Sequence, residues 1–436
     1  MTPFDIGAIA ILVLVLLILI GMPIGIGMLA TSFAAVAFIR NETVSVRMMT
    51  QVANDSLEEY LFAVVPLFVL MGLLVTVSGV GKDTFDVFQR FLKRITAGLG
   101  VATVFANAVF AAITGISIAS ATVFSRIAVP EMRRHGYTNR FATGVVAGSS
   151  VLGMMIPPSL LMIVYAVLAE QSVGRMFLAG VGPGILLALA FTVTILILAT
   201  TRRSFVFESG DEAAYEDIGI MEIVIKAVPI LSLMILVLGG LYGGFLNPTE
   251  AGAAGAFGAL VIALLRRSLD RQTFWRLLVE TGQITVSVLF LILAATFFSR
   301  MLALSGVPRE LAEFFLSGEI GPYGFLFAYI VLIVALGCLI DSISIMLIVL
   351  PIALPVADAA GLDLIWFGVI TVISVEIGLL TPPFGLSVYT IKSAMDDPDL
   401  KVGEIFRGAV PFIIAMLVTL LIIILIPSIA TWLARL

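Results

Sequence analysis

Charge is what this sequence has least of. Asp, Glu, Lys and Arg make up 12% of its 436 residues, against about 25% in an ordinary soluble domain. Hydrophobic residues make up 61%, and the mean hydropathy is +1.17. A chain this poor in charge cannot clothe a soluble surface, so soluble multidomain readings are excluded and no nucleic-acid partner is expected. The lone cysteine, Cys338, rules out an intrachain disulfide and a cysteine-rich metal site. The lone histidine, His135, sits in "EMRRHGY" among basic residues and reads as a solvated loop. No Walker loop, Rossmann glycine pattern, zinc-type histidine cluster or nucleophile–base pair is present, which argues against an ATP-driven pump or a hydrolase. The N-terminus, "MTPFDIGAIAILVLVLLILIG", lacks a basic leader and reads as a retained first span.

What is there is a succession of apolar runs near the ~20 residues that cross a bilayer, so the fold class is an all-α polytopic membrane protein. Two runs carry adjacent prolines in their middle: "GMMIPPSLLMIVYA" at Pro157–Pro158 and "GLLTPPFGLSVYTI" at Pro382–Pro383. Proline lacks an N–H and clashes with the preceding turn, so each pair should break its helix. The pairs lie 225 positions apart, and the same offset matches Pro23 with Pro248, Gly27 with Gly252, Ser117 with Ser342, Pro130 with Pro355, Gly136 with Gly361, Ser149 with Ser374 and Gly153 with Gly378. Shared glycine and proline punctuation over so long a stretch marks a duplication. The halves are 1–200 and 224–436, joined by a polar linker at 201–223. Spans are expected at 5–20, 22–39, 61–79, 141–168 and 176–200, then at 224–246, 248–265, 284–303, 364–391 and 410–433.

Two further apolar segments, 101–130 and 322–355, are too long for one simple crossing and carry polar centres, "ITGISIASAT" and "CLIDSISIM". Each reads as a re-entrant hairpin that enters and leaves on one side. With the linker taken as cytoplasmic, most of the 24 Lys and Arg fall inside, from Lys82 to Arg407, against Arg40, Arg47, Arg175, Arg309 and Arg435 outside. That bias obeys the positive-inside rule and places both termini outside. Five spans per half is an odd number, so the halves are inverted relative to each other. Inverted repeats with interrupted helices are a hallmark of secondary transporters.

Each half pairs a hairpin tip with a break: Thr114–Ser120 with Gly148–Ser159, and Gly337–Ser344 with Ser374–Gly385. Unwound backbone carbonyls and small hydroxyl side chains suit Na⁺, and helix N-termini suit an anion. One Na⁺ site per half with an anionic substrate between them is the expectation. Asp341, a carboxylate inside the membrane, is the most informative single residue; it faces Na⁺, a substrate hydroxyl or tip N–H groups, or else it simply caps a helix beside Ser342 and Ser344. Glu376 either braces the second break or serves it. Arg126 either complements substrate charge or snorkels to the cytoplasmic surface. "RRSLDRQTFWRLLVE" (Arg266–Glu280) and its offset counterpart "NETVSVRMMTQVANDSLEEY" (Asn41–Tyr60) read as paired helices lying on the membrane surface.

At "NPTEAGAAGA" (Asn247–Ala256), "PEMRRHGY" (Pro130–Tyr137), "GMMIPPS" and "EIGLLTPPFG", the chain resembles the large membrane subunit of tripartite ATP-independent periplasmic (TRAP) transporters over essentially its whole length. The resemblance implies a bacterial inner-membrane, Na⁺-driven elevator-type importer. Its partners would be a periplasmic substrate-binding protein and a small four-helix membrane subunit; the chain looks unfused, so that subunit should be separate. It implies sodium roles for Gly337, Gly378 and Thr381, and by internal symmetry for Thr114, Gly115, Ser149, Gly153 and Ile156. Substrate contact is implied at Ser120, Ser159 and Asp341, with the tip hydroxyls of Ser117, Ser342 and Ser344 as further candidates. Dicarboxylate members often read "TPPVGLN" at the second break where this chain has "TPPFGLS", so a C4-dicarboxylate is in doubt. Two rivals remain. Stand-alone Na⁺/dicarboxylate symporters commonly carry Ser-Asn-Thr at both tips, unlike "GIS" and "DSI" here. A membrane-embedded enzyme would have only Asp341 and Glu376 to work with.

Overall fold

A computed structural model of the chain describes residues 1–208, 219–317 and 321–435. Among these residues the chain is helical throughout, with one isolated β-bridge, Tyr137 to Phe207, and no strand. Six helices are long and apolar enough to cross a membrane, or eight if each of two bent pairs counts as one. Polar residues fix where helices start. Thr2 with Asp5, and Asn247 with Glu250, form capping boxes with a proline at the first helical position.

The duplication carries through to the helices. Ser117–Arg134 and Ser342–Ala359 begin and end 225 positions apart. Each is followed by a glycine at positive φ, Gly136 at 73° and Gly361 at 70°. Both proline pairs break their helices as expected, and both Pro–Pro peptides are cis. Around the first lie Asn139–Ser150, Leu152–Met155 and Leu160–Leu168; around the second lie Leu364–Leu380 and Leu386–Met395. Gly98–Thr114 turns at Gly115 into Ser117–Arg134, and Gly321–Gly337 turns at 338–341 into Ser342–Ala359.

The halves exchange partners. Val64–Val77 packs on Pro248–Leu265, and Ile24–Ile39 packs on Arg271–Ser305. The tightest crossing joins Asn139–Ser150 to Val402–Leu425 at Gly144 and Gly408, where a Cβ on Gly144 would stand 2.2 Å from the Gly408 carbonyl oxygen. Close backbone approach through small residues is how apolar helices associate without a hydrophobic drive between them.

The structure departs from the sequence reading in places. The surface helix expected at Arg266–Glu280 is not separate: Arg271–Ser305 is one continuous helix of 35 residues. At 1.5 Å per residue it is roughly 50 Å long, well beyond a hydrocarbon core of about 30 Å. Its counterpart, Glu42–Glu58, does end, at a short 3₁₀ turn over Tyr60–Ala63. The span expected at 61–79 ends at Val77 and continues at 65° as Val80–Leu92, with Gly79 at φ 77° making the corner. The last span covers Val402–Leu425, and the end of the stretch expected at 410–433 forms a short helix, Ser428–Ala434. Residues 209–218 of the 201–223 linker lie outside the described residues.

Ion pairs clip the frame. Arg266 pairs with Asp83, Lys226 pairs with Asp86 at 2.7 Å, and Arg300 reaches Asp55 of the Glu42–Glu58 helix at 2.8 Å. Arg300, near the end of the long apolar helix Arg271–Ser305, is thus held by a carboxylate.

Candidate functional site

The first tip forms because Gly115, at φ 64°, ends Gly98–Thr114 in the left-handed conformation that glycine adopts without steric cost. The tip sits directly on the first break. A Cβ on Gly115 would lie 2.4 Å from the Pro158 carbonyl oxygen, and the Gly115 carbonyl accepts the Leu160 N–H at 3.2 Å. Ser159 knits the break: its hydroxyl donates to Met154 O at 2.6 Å and accepts the Met162 N–H at 3.3 Å. Its one proton is therefore already committed. Gly153 presses on the Ile116–Ser117 peptide, where a Cβ would stand 3.1 Å from the Ser117 nitrogen. Thr114 donates to Phe110 O, and Ile156 donates its N–H to Leu152 O, closing the one-turn helix Leu152–Met155 ahead of the break. Ser149 donates to Val145 O at 2.7 Å and accepts from the Asn107 amide at 2.6 Å.

The second tip is built differently. Gly337 and Gly378 touch backbone to backbone: a Cβ on Gly378 would lie 2.6 Å from the Gly337 Cα and 2.9 Å from the Val334 carbonyl oxygen. Thr381 closes the second break, donating from its hydroxyl to Ile377 O at 2.7 Å and from its N–H to Gly378 O at 2.9 Å. Asp341 caps Ser342–Ala359, accepting the Ser344 N–H at 3.1 Å and the Ser344 hydroxyl at 2.5 Å. Asp341 itself is exposed, while Ser342 and Ser344 are buried. Phe384, the departure from the dicarboxylate pattern, is 56% exposed. The second tip and break therefore open to the surroundings while the first pair is sealed.

Two residues gain weight that the sequence did not give them. Asn107, on the first hairpin arm, bridges to the first broken helix through Ser149. Tyr329 does the same in the second half, its hydroxyl 2.8 Å from Thr371 Oγ1. A polar group inside an otherwise apolar arm was the available signal for both. Glu376 is 0% exposed and neither carboxylate oxygen has a hydrogen-bond partner. The Ser117 hydroxyl of the first tip faces that carboxylate without a formed hydrogen bond. Ser120 and Ser387 are also fully buried with unpartnered hydroxyls.

Arg126 donates through Nε to Ala394 O at 3.2 Å, at the C-terminal end of Leu386–Met395. Lys392 donates to the Asp397 carbonyl and Arg133 pairs with the Asp397 carboxylate at 2.8 Å, so the first hairpin's outgoing arm is stitched to the second broken helix. The Arg133 guanidinium, with the Asp399 N–H, holds the Asp397 carboxyl below its usual range. Clefts of about 630–650 Å³ open elsewhere, one lined by Glu170, Thr296, Arg300 and Asp358 and one by Arg175, Asp363 and Arg435; neither includes a tip residue.

Residues 11–429 match the sequence model of the family described as "Tripartite ATP-independent periplasmic transporter, DctM component". The chain belongs to this TRAP family. It is 33% identical to the C4-dicarboxylate TRAP transporter large permease protein DctM of Pseudomonas aeruginosa, covering 88% of this chain and 89% of that one. It is 28% identical to the sialic acid TRAP transporter large permease protein SiaM of Vibrio cholerae, over 94% and 93% of the two chains. With the ectoine TRAP transporter large permease protein TeaC of Halomonas elongata it shares 29% identity over 85% of each. Among solved structures, the YdaH transporter of Alcanivorax borkumensis aligns with a TM-score of 0.56 at 13% identity, over 85% of this chain and 86% of that one, a likeness of fold alone. This TRAP protein is a large permease subunit of a multi-pass membrane transporter and not an enzyme.

Proposed function

We propose that this chain is the transport subunit of a Na⁺-driven, binding-protein-dependent importer of a small organic carboxylate in the bacterial inner membrane. The observation that carries this is the pairing of each hairpin tip with a Pro–Pro break, twice, at backbone contact. Backbone that is neither helix nor sheet is tolerated at membrane depth only where it is buried in protein or lines a cavity or site. Around these breaks stand Gly337, Gly378 and Thr381 on one side and Thr114, Gly115, Ser149, Gly153 and Ile156 on the other, the residues we assign to two Na⁺ sites. Orphaned buried oxygens at the first tip suit a cation that prefers oxygen ligands. Dicarboxylate, sialic acid and ectoine, named for three of the relatives, carry a carboxylate, which motivates the substrate class; isethionate, named for another, carries a sulfonate in its place, so a small organic anion is what the named substrates share.

In this reading the hairpins and broken helices form a core that moves against a frame of the remaining spans, with the repeats inverted and both termini outside. The exposed second tip, with Asp341 and Phe384, is where substrate enters and where its identity is read. The other substrate contacts we assign are Ser342 and Ser344 beside Asp341, and Ser117, Ser120 and Ser159 at the first tip and break. Two partners complete the assembly, a periplasmic binding protein and a small four-helix subunit. The permease SiaT of Haemophilus influenzae supports the second: this chain covers only 68% of its length, leaving a segment of it over. Sodium can shift the inward–outward equilibrium only by binding the two states unequally, so substrate alone should move little. The test is uptake into vesicles holding this chain and the small subunit. Accumulation should need both an inward Na⁺ gradient and the binding protein. Uptake without the binding protein would instead support a stand-alone symporter, and uptake indifferent to Na⁺ would overturn the coupling.

A further inference from the structure

Glu376 has no counterpart in the first repeat, where position 151 is valine. It lies four residues before the end of Leu364–Leu380, 0% exposed, with both carboxylate oxygens unpartnered. A buried charge persists only when something offsets it. The side chain facing it is Ser117, whose hydroxyl is also buried and unpartnered. Ser117 opens the helix Ser117–Arg134, and Ile116 before it supplies no side-chain cap. Gly153 of the first break lies against the same Ile116–Ser117 peptide. The second repeat therefore places a carboxylate against the first tip, beside a residue already assigned to the first Na⁺ site.

We infer that Glu376 is the anionic ligand of the cation bound at the first tip, lent across from the second repeat. This deepens the sodium reading above and rests on it. Each tip then carries one carboxylate, Asp341 at the open second tip and Glu376 at the sealed first. Two Na⁺ ions offset both, which lets an anionic substrate sit between two carboxylates that would otherwise repel it. It also gives the two ion sites different exposure, with the Glu376 site shut off from solvent while the second tip is open.

The test is Na⁺-dependent thermal stabilisation of the purified chain with its small subunit, choline holding the ionic strength constant. Wild type should be stabilised by Na⁺ and not by choline. Glu376→Gln keeps the shape and removes the charge. It should raise the half-saturating Na⁺ concentration by roughly tenfold or more, the effect of losing a charged ligand in a site of low dielectric. In the absence of Na⁺ it should be at least as stable as wild type, because an uncompensated buried charge has been removed. A purely structural glutamate would give the opposite, lower stability with unchanged Na⁺ affinity, and that result overturns the inference while leaving sodium coupling intact. Wild type indifferent to Na⁺ would overturn the sodium reading itself. Should Glu376→Gln not fold, Ser117→Ala decides: a several-fold rise in half-saturating Na⁺ supports the inference, and no change overturns it.

Discussion

Replacing Gly378 by alanine is the sharpest way to perturb the second tip, because the structure sets the size of the effect. The new Cβ would lie 2.6 Å from the Gly337 Cα and 2.9 Å from the Val334 carbonyl oxygen. Ordinary carbon–carbon contact begins near 3.5 Å, so the two helices must part by about 1 Å. Both obstructing atoms belong to backbone, so no side chain can swing aside. Overpacking of this kind costs about 1–3 kcal/mol. At roughly 1 °C per kcal/mol for a chain of this size, the thermal midpoint should fall by about 1–3 °C. Parting the helices also separates Gly337 from the second break, so Na⁺ stabilisation should weaken in parallel. Gly282→Ala is the control: it too is helical, but a Cβ there meets nothing within 4 Å. That change should be neutral or gain up to about 1 kcal/mol of helix propensity. Thermal unfolding of the two variants side by side decides the matter. If Gly378→Ala unfolds at the same temperature as Gly282→Ala and keeps its Na⁺ response, the close approach of the two helices is not what shapes this site.

Asp341→Asn keeps a good helix cap but removes the charge, whereas Asp341→Ala loses both; uptake should be abolished in both, and only the alanine variant should also lose about 1 kcal/mol of stability. Normal uptake by the asparagine variant would remove the Asp341 charge from the mechanism. Ser159→Ala breaks the bridge between Met154 and Met162 and should cost about 0.5–2 kcal/mol, read as a lower thermal midpoint; an unchanged midpoint would mean the break holds itself without its cap. The Arg133–Asp397 pair gives a pH signature. The Asp397 carboxyl is held low in the folded protein, so the stabilisation is present above its unfolded value and is lost as pH falls through the lowered native one. Arg133→Ala should therefore be less stable than wild type at neutral pH, with the gap closing in acid; a gap that stays constant would show that packing, not charge, is lost.

The repeat was legible because glycine and proline carry backbone meaning that survives when apolar residues drift. Gly136 and Gly361 adopt the same left-handed conformation, and the two proline pairs break their helices at matching places. The hairpins were legible from polar centres in segments too long for one crossing. The continuity of Arg271–Ser305 was not. Its amphipathic start resembles Glu42–Glu58, but no proline or turn stands between Glu280 and Ile284, and Gly282 alone does not stop a helix. Glu376 was visible as a charge in an apolar run, yet its neighbour Ser117 is 259 positions away and no offset links them. Asn107 and Tyr329 escaped for a related reason: each acts through a partner on another helix, Ser149 and Thr371, that only packing reveals.

The account turns on cations being held where the hairpin tips meet the broken helices, and the chain carries its own probe of that place. Cys338, the single cysteine, follows Gly337 at the second tip and is buried, its thiol donating to Val334 O. Its rate of labelling by a membrane-permeant maleimide reports how often that tip opens. The account predicts that Na⁺ slows labelling well below the rate in K⁺ at equal ionic strength, and that Gly378→Ala abolishes the difference. Equal rates in Na⁺ and K⁺ for the wild-type chain would contradict it.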